Sequence, residues 1–215
     1  MKDLLYKEFK LAVHPSTYMF LFFGVLLLVP SWPFFIAFGY IFMGIMNTFF
    51  IGRANQDIFF TASLPVRKRD VVRARVLSTV LFELLQAAIA IPFAILHNMM
   101  FTFENGVGMN LNFAFFGLVL VMFAVFNVTF FPVFYKKAYK AGWAILMGII
   151  ASGAFVGAVE FAVHTSPFLS LNLNPMGAAR LESQLPILAV CIAVFVLVTW
   201  LASRKAEANF EKVDL

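Results

Sequence analysis

The sequence predicts an all-α integral membrane protein, a single domain over residues 1–215 with six transmembrane helices, an amphipathic interfacial helix before the first of them, and both termini cytoplasmic. Three observations carry this expectation. Of the 215 residues 62% are hydrophobic, Phe alone fills 29 positions, and only 13% are charged, whereas a soluble domain carries about a quarter charged residues. The chain therefore has too little polar side chain to cover a water-soluble globule. The apolar residues also fall into runs of spanning length: at about 20 residues each, six spans take roughly 120 positions and leave about 95, too few for a second, catalytic domain. Finally, six spans place 15 of the 16 Lys and Arg on one side, with Arg180 the exception, and basic residues collect on the cytoplasmic side.

Each element follows from local pattern. In residues 2–13, Asp3, Lys7 and Lys10 recur on one helical face and Leu5, Phe9 and Ala12 on another, the period of a helix lying in the membrane interface. The segment lacks the short apolar core and small-residue cleavage site of a signal peptide, so the first hydrophobic run is expected to be retained. His14-Pro15 ends the helix, since the residue before proline leaves the helical region. Spans at 17–29 and 34–51 form a hairpin through Pro30-Ser31-Trp32-Pro33. Residues 52–75 set Arg53, Arg67, Lys68, Arg69, Arg73 and Arg75 against Asp57 and Asp70. A third span follows at 76–96, then a polar loop with an Asn105-Gly106 turn, a fourth span at 112–134, a basic loop with Lys136, Lys137 and Lys140, and a fifth span at 141–163. The loop 164–184 leads to Ser183 as an expected N-cap, with Pro186 in the first turn of a sixth span at 185–202, and a charged tail closes the chain. Pro92 and Pro132 are expected to kink their helices. Tyr18, Tyr135, Tyr139, Trp143 and Trp200 are assigned to the inner interface and Trp32 to the outer one.

Enzymatic patterns do not occur. No G-x-x-x-x-G-K-[ST] loop, H-E-x-x-H, G-x-S-x-G or Cys/His grouping is found, so no catalytic residue, metal ligand or bound cofactor is expected in this chain. His14, His97 and His164 are scattered near span ends, and Cys191, the lone cysteine, reads as a small packing residue. The net charge of +5 reads as a topology signal and not as affinity for nucleic acid. Two acids lie inside spans. Glu83 shares a helix face with Thr79, Gln86 and Ala90; a carboxylate in hydrocarbon costs at least about 2.5 kcal/mol, so that face meets either an aqueous path or a partner helix. Thr79, Glu83 and Gln86 are thus candidates for a translocation path, with interhelical hydrogen bonding the alternative. Glu160 is expected to reach interfacial water, and Asn47, Thr48, Asn127 and Thr129 to bond between helices. Gly153-x-x-x-Gly157, continued by Ala154, Ala158 and Ala162, marks close helix packing, within one subunit in preference to a subunit interface.

The most informative segment is Asp57 to Arg75: a short apolar helix, Ile58 to Leu64, then Pro65, then a basic helix running into the third span. Phe59, Phe60 and Leu64 form an apolar patch that needs a partner or a lipid surface to cover it. "SLPVRKRDVVRAR" in this position, with "LLYKEFKLAVHPSTY" before the first span, resembles ABC-2 type transporter permeases, and in particular the small permease subunits of Gram-positive bacteria, including those that export phenol-soluble modulin peptides. The resemblance implies that residues 2–13 are an elbow helix and 56–66 a coupling helix. On that reading Asp57, Ile58, Phe59, Phe60, Leu64 and Pro65 dock on a separate ATP-binding subunit, with Arg67, Lys68 and Arg69 at the rim. It further implies ATP and Mg held by that partner, two permeases in a homodimer with two ATPases, export of amphipathic or hydrophobic peptides, and a bacterial cytoplasmic membrane. A membrane-embedded enzyme, or an immunity or sensor subunit that transports nothing, are the alternatives.

Overall fold

The computed structural model describes residues 2–62, 65–137 and 141–213. The chain begins with α1 (Lys2–Lys7), which widens into a π turn over Glu8–Ala12. Val13 and His14 are extended, and α2 (Pro15–Leu21) sets off at 91° to the first arm. The break has a local cause: Pro15 removes an amide and biases His14 away from the helix, and the His14 ring, accepting from the Ser16 amide at 3.3 Å, caps the new one. From Phe22 to Leu28 the arm tightens into a 3-10 helix.

A second span comprises α3 (Phe35–Gly39) and α4 (Ile41–Ala54). A short helix α5 (Asp57–Ala62) precedes the long α6 (Lys68–Met100), α7 (Phe113–Lys137) and α8 (Ala141–Thr165). The chain closes with α9 (Pro167–Leu173) and α10 (Leu181–Glu211). Five of these runs are long and apolar enough to cross a membrane, and the bent pair at the N-terminus makes a sixth if it counts as one span. Both α6 and α7 continue through Pro92 and Pro132 as single helices.

The phenylalanines form the interior. Phe42 stacks on Phe126 with centroids 4.1 Å apart, Phe49 meets Phe130 and Phe134 edge-on at 4.8 Å each, and Phe38 and Phe35 close on Phe115. The second span is thus zipped to α7, whose other sides are covered by α8 and α10. Such offset and edge-to-face pairs add about 0.5–1.5 kcal/mol beyond burial.

Three sequence expectations are corrected. The last helix starts at Leu181, not after Ser183: Arg180 stands at its N-cap in a left-handed conformation (φ 58°), and the Ser183 hydroxyl donates to the Arg180 carbonyl at 3.0 Å. Gln184, accepting from the Phe113 amide at 2.9 Å and donating to the Gly177 carbonyl at 3.2 Å, fixes that earlier turn, so Pro186 lies a turn further in. The charged tail continues α10 as far as Glu211. Tyr135 is buried rather than interfacial, because the extension lays Phe210 against its ring at 5.2 Å; Tyr139 lies outside the described residues.

The end of the bundle opposite the basic loops is closed by asparagines. Asn105 donates to the Trp32 carbonyl, Asn110 to that of Asn174, and Asn112 to those of Leu173 and Pro175, at 2.8 to 3.0 Å. Glu160 accepts from the Met109 amide at 3.2 Å and so belongs to this closure. Within the loop 164–184, α9 is capped by Ser166 and leaves Phe168 and Leu171 exposed.

Candidate functional site

At the basic end, four charged residues from four structural pieces meet. Lys7 closes α1, Glu8 opens the π turn, Asp57 opens α5, and Arg75 lies two turns into α6. Lys7 Nζ is 2.6 Å from Asp57 Oδ1 and donates to Thr61 Oγ1 at 2.7 Å. The Arg75 guanidinium bridges the two acids, pairing through Nη2 with Asp57 and through Nε with Glu8, with a further Nη2 bond to Glu8 Oε1 at 3.2 Å. Its planar fork suits two carboxylates at once, and its face lies 5.4 Å from the Phe49 ring. Glu8 is 1% exposed and Arg75 5%. The wide π turn carries Glu8 inward, a known use of such turns at functional positions. Burial works to raise the Asp57 carboxyl, but Arg75 and Lys7 outweigh it and hold it below the ordinary carboxylate value. Two positive and two negative charges leave the junction neutral, and α5 hangs from α1 on one side and α6 on the other.

Beside it, the α10 extension is fastened to the start of α6. Arg73 forms a two-pronged bond with Glu207 at 2.9 and 3.0 Å, Arg69 grips Glu211, and Lys68 donates to the Val213 carbonyl at 2.7 Å. Asn209 reaches the Pro132 carbonyl at 2.8 Å, bringing in the end of α7.

The residues assigned to ATPase docking are placed as follows. Asp57 is engaged in the junction, Lys68 and Arg69 in the tail contacts, Pro65 and Arg67 are exposed, and Phe60 is 65% exposed. Leu64 and the side chains of Ile58 and Phe59 lie outside the described residues. Thr79, Glu83 and Gln86 all face the bundle interior. Thr79 donates to the Arg75 carbonyl at 3.0 Å, Glu83 accepts from Asn127 at 2.9 Å, and Gln86 donates to the carbonyls of Phe20 and Ala37 at 3.2 and 3.1 Å. The Glu83 and Gln86 bonds run to other helices, whereas the Thr79 bond closes within α6.

The Gly153/Gly157 expectation is corrected: a side chain at either position would meet nothing within 4 Å in the same chain. Close packing within the chain falls on other glycines. A Cβ at Gly24 would lie 2.9 Å from Ala90, at Gly44 2.9 Å from Thr17, and at Gly148 2.8 Å from Phe126.

Sequence reasoning missed Glu8, Arg75, Glu207 and Glu211 as partners. One signal was legible: Arg69 and Arg73 stand four apart, as do Glu207 and Glu211, which puts two matching charge pairs on two helix faces.

The family model described as ABC-2 family transporter protein matches residues 3–205, and the chain belongs to that family. Compared with curated proteins and with solved structures, it finds no match. The protein is accordingly a multi-pass membrane component of a transporter, and its family works with an ATP-binding ABC partner.

Proposed function

We propose that this chain is the permease subunit of an ATP-driven exporter, with the basic end on the cytoplasmic face of a bacterial cell membrane. The observation that carries the reading is the Lys7–Asp57–Arg75–Glu8 junction. An ATP-binding subunit docks on α5 and the Pro65 turn, with Phe59, Phe60 and Leu64 as apolar contacts and Arg67 at the rim. Because α5 is ion-paired to both the N-terminal arm and α6, a displacement of α5 carries both along, and the work of ATP hydrolysis reaches the spans through Asp57. ATP and Mg are held by the partner.

Two copies of the chain pair across α8, whose outward face carries Gly153, Ala154, Gly157 and Ala158 and permits close approach. The beginning of a path is a cleft of about 340 Å³ beside that face, between Phe35, Tyr40, Met43, Met122 and Gly153. Its aromatic and methionine walls, free of fixed charge, suit amphipathic or hydrophobic peptides, since adaptable side chains accept varied apolar cargo.

The test is co-expression with the ATP-binding subunit, followed by co-purification and ATP hydrolysis in lipid. Phe59→Asp with Phe60→Asp is expected to abolish co-purification while the permease still inserts. Retained binding in that variant overturns the docking surface.

A further inference from the structure

Between α6 and α10 runs a groove of about 450 Å³ that the proposed function does not use, within the ~300–1,000 Å³ of ordinary ligand sites. At the basic end its mouth is formed by Arg73, Ser203, Arg204 and Glu207. Deeper it is walled by Val80, Leu84, Phe195 and Val196. From Arg73 to Leu84 the α6 wall rises about 16 Å at 1.5 Å per residue, about half of the ~30 Å hydrocarbon thickness. The groove is therefore charged at one end, apolar beyond it, and one leaflet deep.

Charge balance at the mouth narrows the occupant. Arg73 and Glu207 neutralise one another through their two-pronged bond, and Ser203 donates to Glu207 at 3.2 Å. Arg204 remains: among the described residues it pairs with no acid, and its guanidinium lies 5.6 Å over the Trp200 ring. Trp200 is itself 54% exposed, and an indole at this depth marks the headgroup level.

We infer that this groove is a binding site for an anionic phospholipid of the leaflet on the basic side, with the phosphate at Arg204 and an acyl chain along Val80, Leu84, Phe195 and Val196. The gradient from charge to hydrocarbon over one leaflet depth matches that of a phospholipid. A soluble anion would meet only the mouth and leave the apolar length empty. Basic pockets between spans are recurrent sites for anionic headgroups. The inference does not depend on cargo or on the direction of transport.

Trp200 reports on the site directly. A protein with Trp200 as its sole tryptophan, through Trp32→Phe and Trp143→Phe, is reconstituted in mixed phosphatidylcholine and phosphatidylglycerol vesicles in which one lipid at a time carries brominated chains. A second protein retaining only Trp143, which is 56% exposed on α8, serves as the reference surface. Brominated phosphatidylglycerol is expected to quench Trp200 with an apparent preference over phosphatidylcholine about fivefold that seen at Trp143, the factor expected of one net basic residue near the surface. Arg204→Gln should bring the preference to parity with Trp143, Arg204→Lys should largely retain it, and added salt should lower it. Equal quenching by both lipids, a preference that survives Arg204→Gln, or protection of Trp200 from both lipids by a second copy covering the groove would each overturn the inference.

Discussion

Arg75 decides how the basic end behaves, because of the two cations that contact both acids of the junction it is the more deeply buried, Lys7 reaching Glu8 only at 3.5 Å. Removing one partner of a buried ion pair leaves the other uncompensated, at a cost of about 3–5 kcal/mol. Arg75→Gln leaves Glu8, at 1% exposure, with only the Lys7 ammonium at 3.5 Å; thermal unfolding in detergent should show a loss of up to that size. Arg75→Lys should recover only part of it, since an ammonium lacks the fork that spans two carboxylates. Asp57 sets the acid limit. Its folded pKa is held below the unfolded value of about 3.9, so its contribution is present above that value and lost as pH falls through the folded pKa. The melting temperature should therefore fall below about pH 4, and Asp57→Asn should start lower and show a shallower acid decline. Glu83 obeys a different rule. Among the described residues neither Glu83 Oε1 nor Asn127 Oδ1 has a hydrogen-bond partner, while Asn127 already donates to Glu83 Oε2. In Glu83→Gln the new amide can donate to Asn127 Oδ1, so stability and transport should be unchanged, whereas Glu83→Leu leaves the buried Asn127 amide only its 3.5 Å bond to Thr199 and should cost about 1–3 kcal/mol. Loss of transport in a stable Glu83→Gln protein would return Glu83 to the path.

At the scale of elements, the periodic features were legible and the pairings were not. The span positions follow from apolar run length, and the 91° break at Val13-His14 follows from Pro15. That α10 would continue as helix through Ser203 to Glu211 could not be read from hydropathy, which falls there. Its cause is the row of arginines on α6, a contact between residues more than 130 positions apart. The small-residue ladder misled for a related reason. A Gly-x-x-x-Gly pattern states that close approach is possible without naming the neighbour, and in this chain the approach occurs at Gly24, Gly44 and Gly148 instead. The two groups of glycines should separate in one experiment. Gly24→Val forces a branched side chain against the Ala90 backbone and should lose about 1–3 kcal/mol by overpacking. Gly153→Val faces open space and should leave the melting of the single chain unchanged, while weakening the association of two copies as read by cross-linking in lipid. An unaltered dimer would remove α8 as the pairing face.

The whole molecule has two unlike ends, and the number of crossings decides what they face. Lysine and arginine contacts bind α1, α5, α6 and the α10 extension at one end, and buried asparagines close the other. The crossing that decides the count is the first. Pro15–Leu28 has only 14 residues, about 21 Å as α-helix against a hydrocarbon core of ~30 Å. The 3-10 half rises about 2.0 Å per residue, which extends the arm to about 25 Å and, with the turn that follows, lets it cross. Six crossings then place Lys2 and Lys212 on the same side and Gly106 opposite. Cys191 is the sole cysteine and is buried, so a Cys191→Ala background accepts single cysteines at Lys2, Gly106 and Lys212, all exposed. In sealed right-side-out vesicles an impermeant maleimide should label Gly106→Cys at once and the other two only after permeabilisation. Labelling of Lys2→Cys from outside would show that the bent arm lies in the interface without crossing. Labelling of Lys212→Cys alone from outside would reverse the orientation that 15 of 16 basic residues argue for, and would put α5 beyond the reach of any cytoplasmic ATPase.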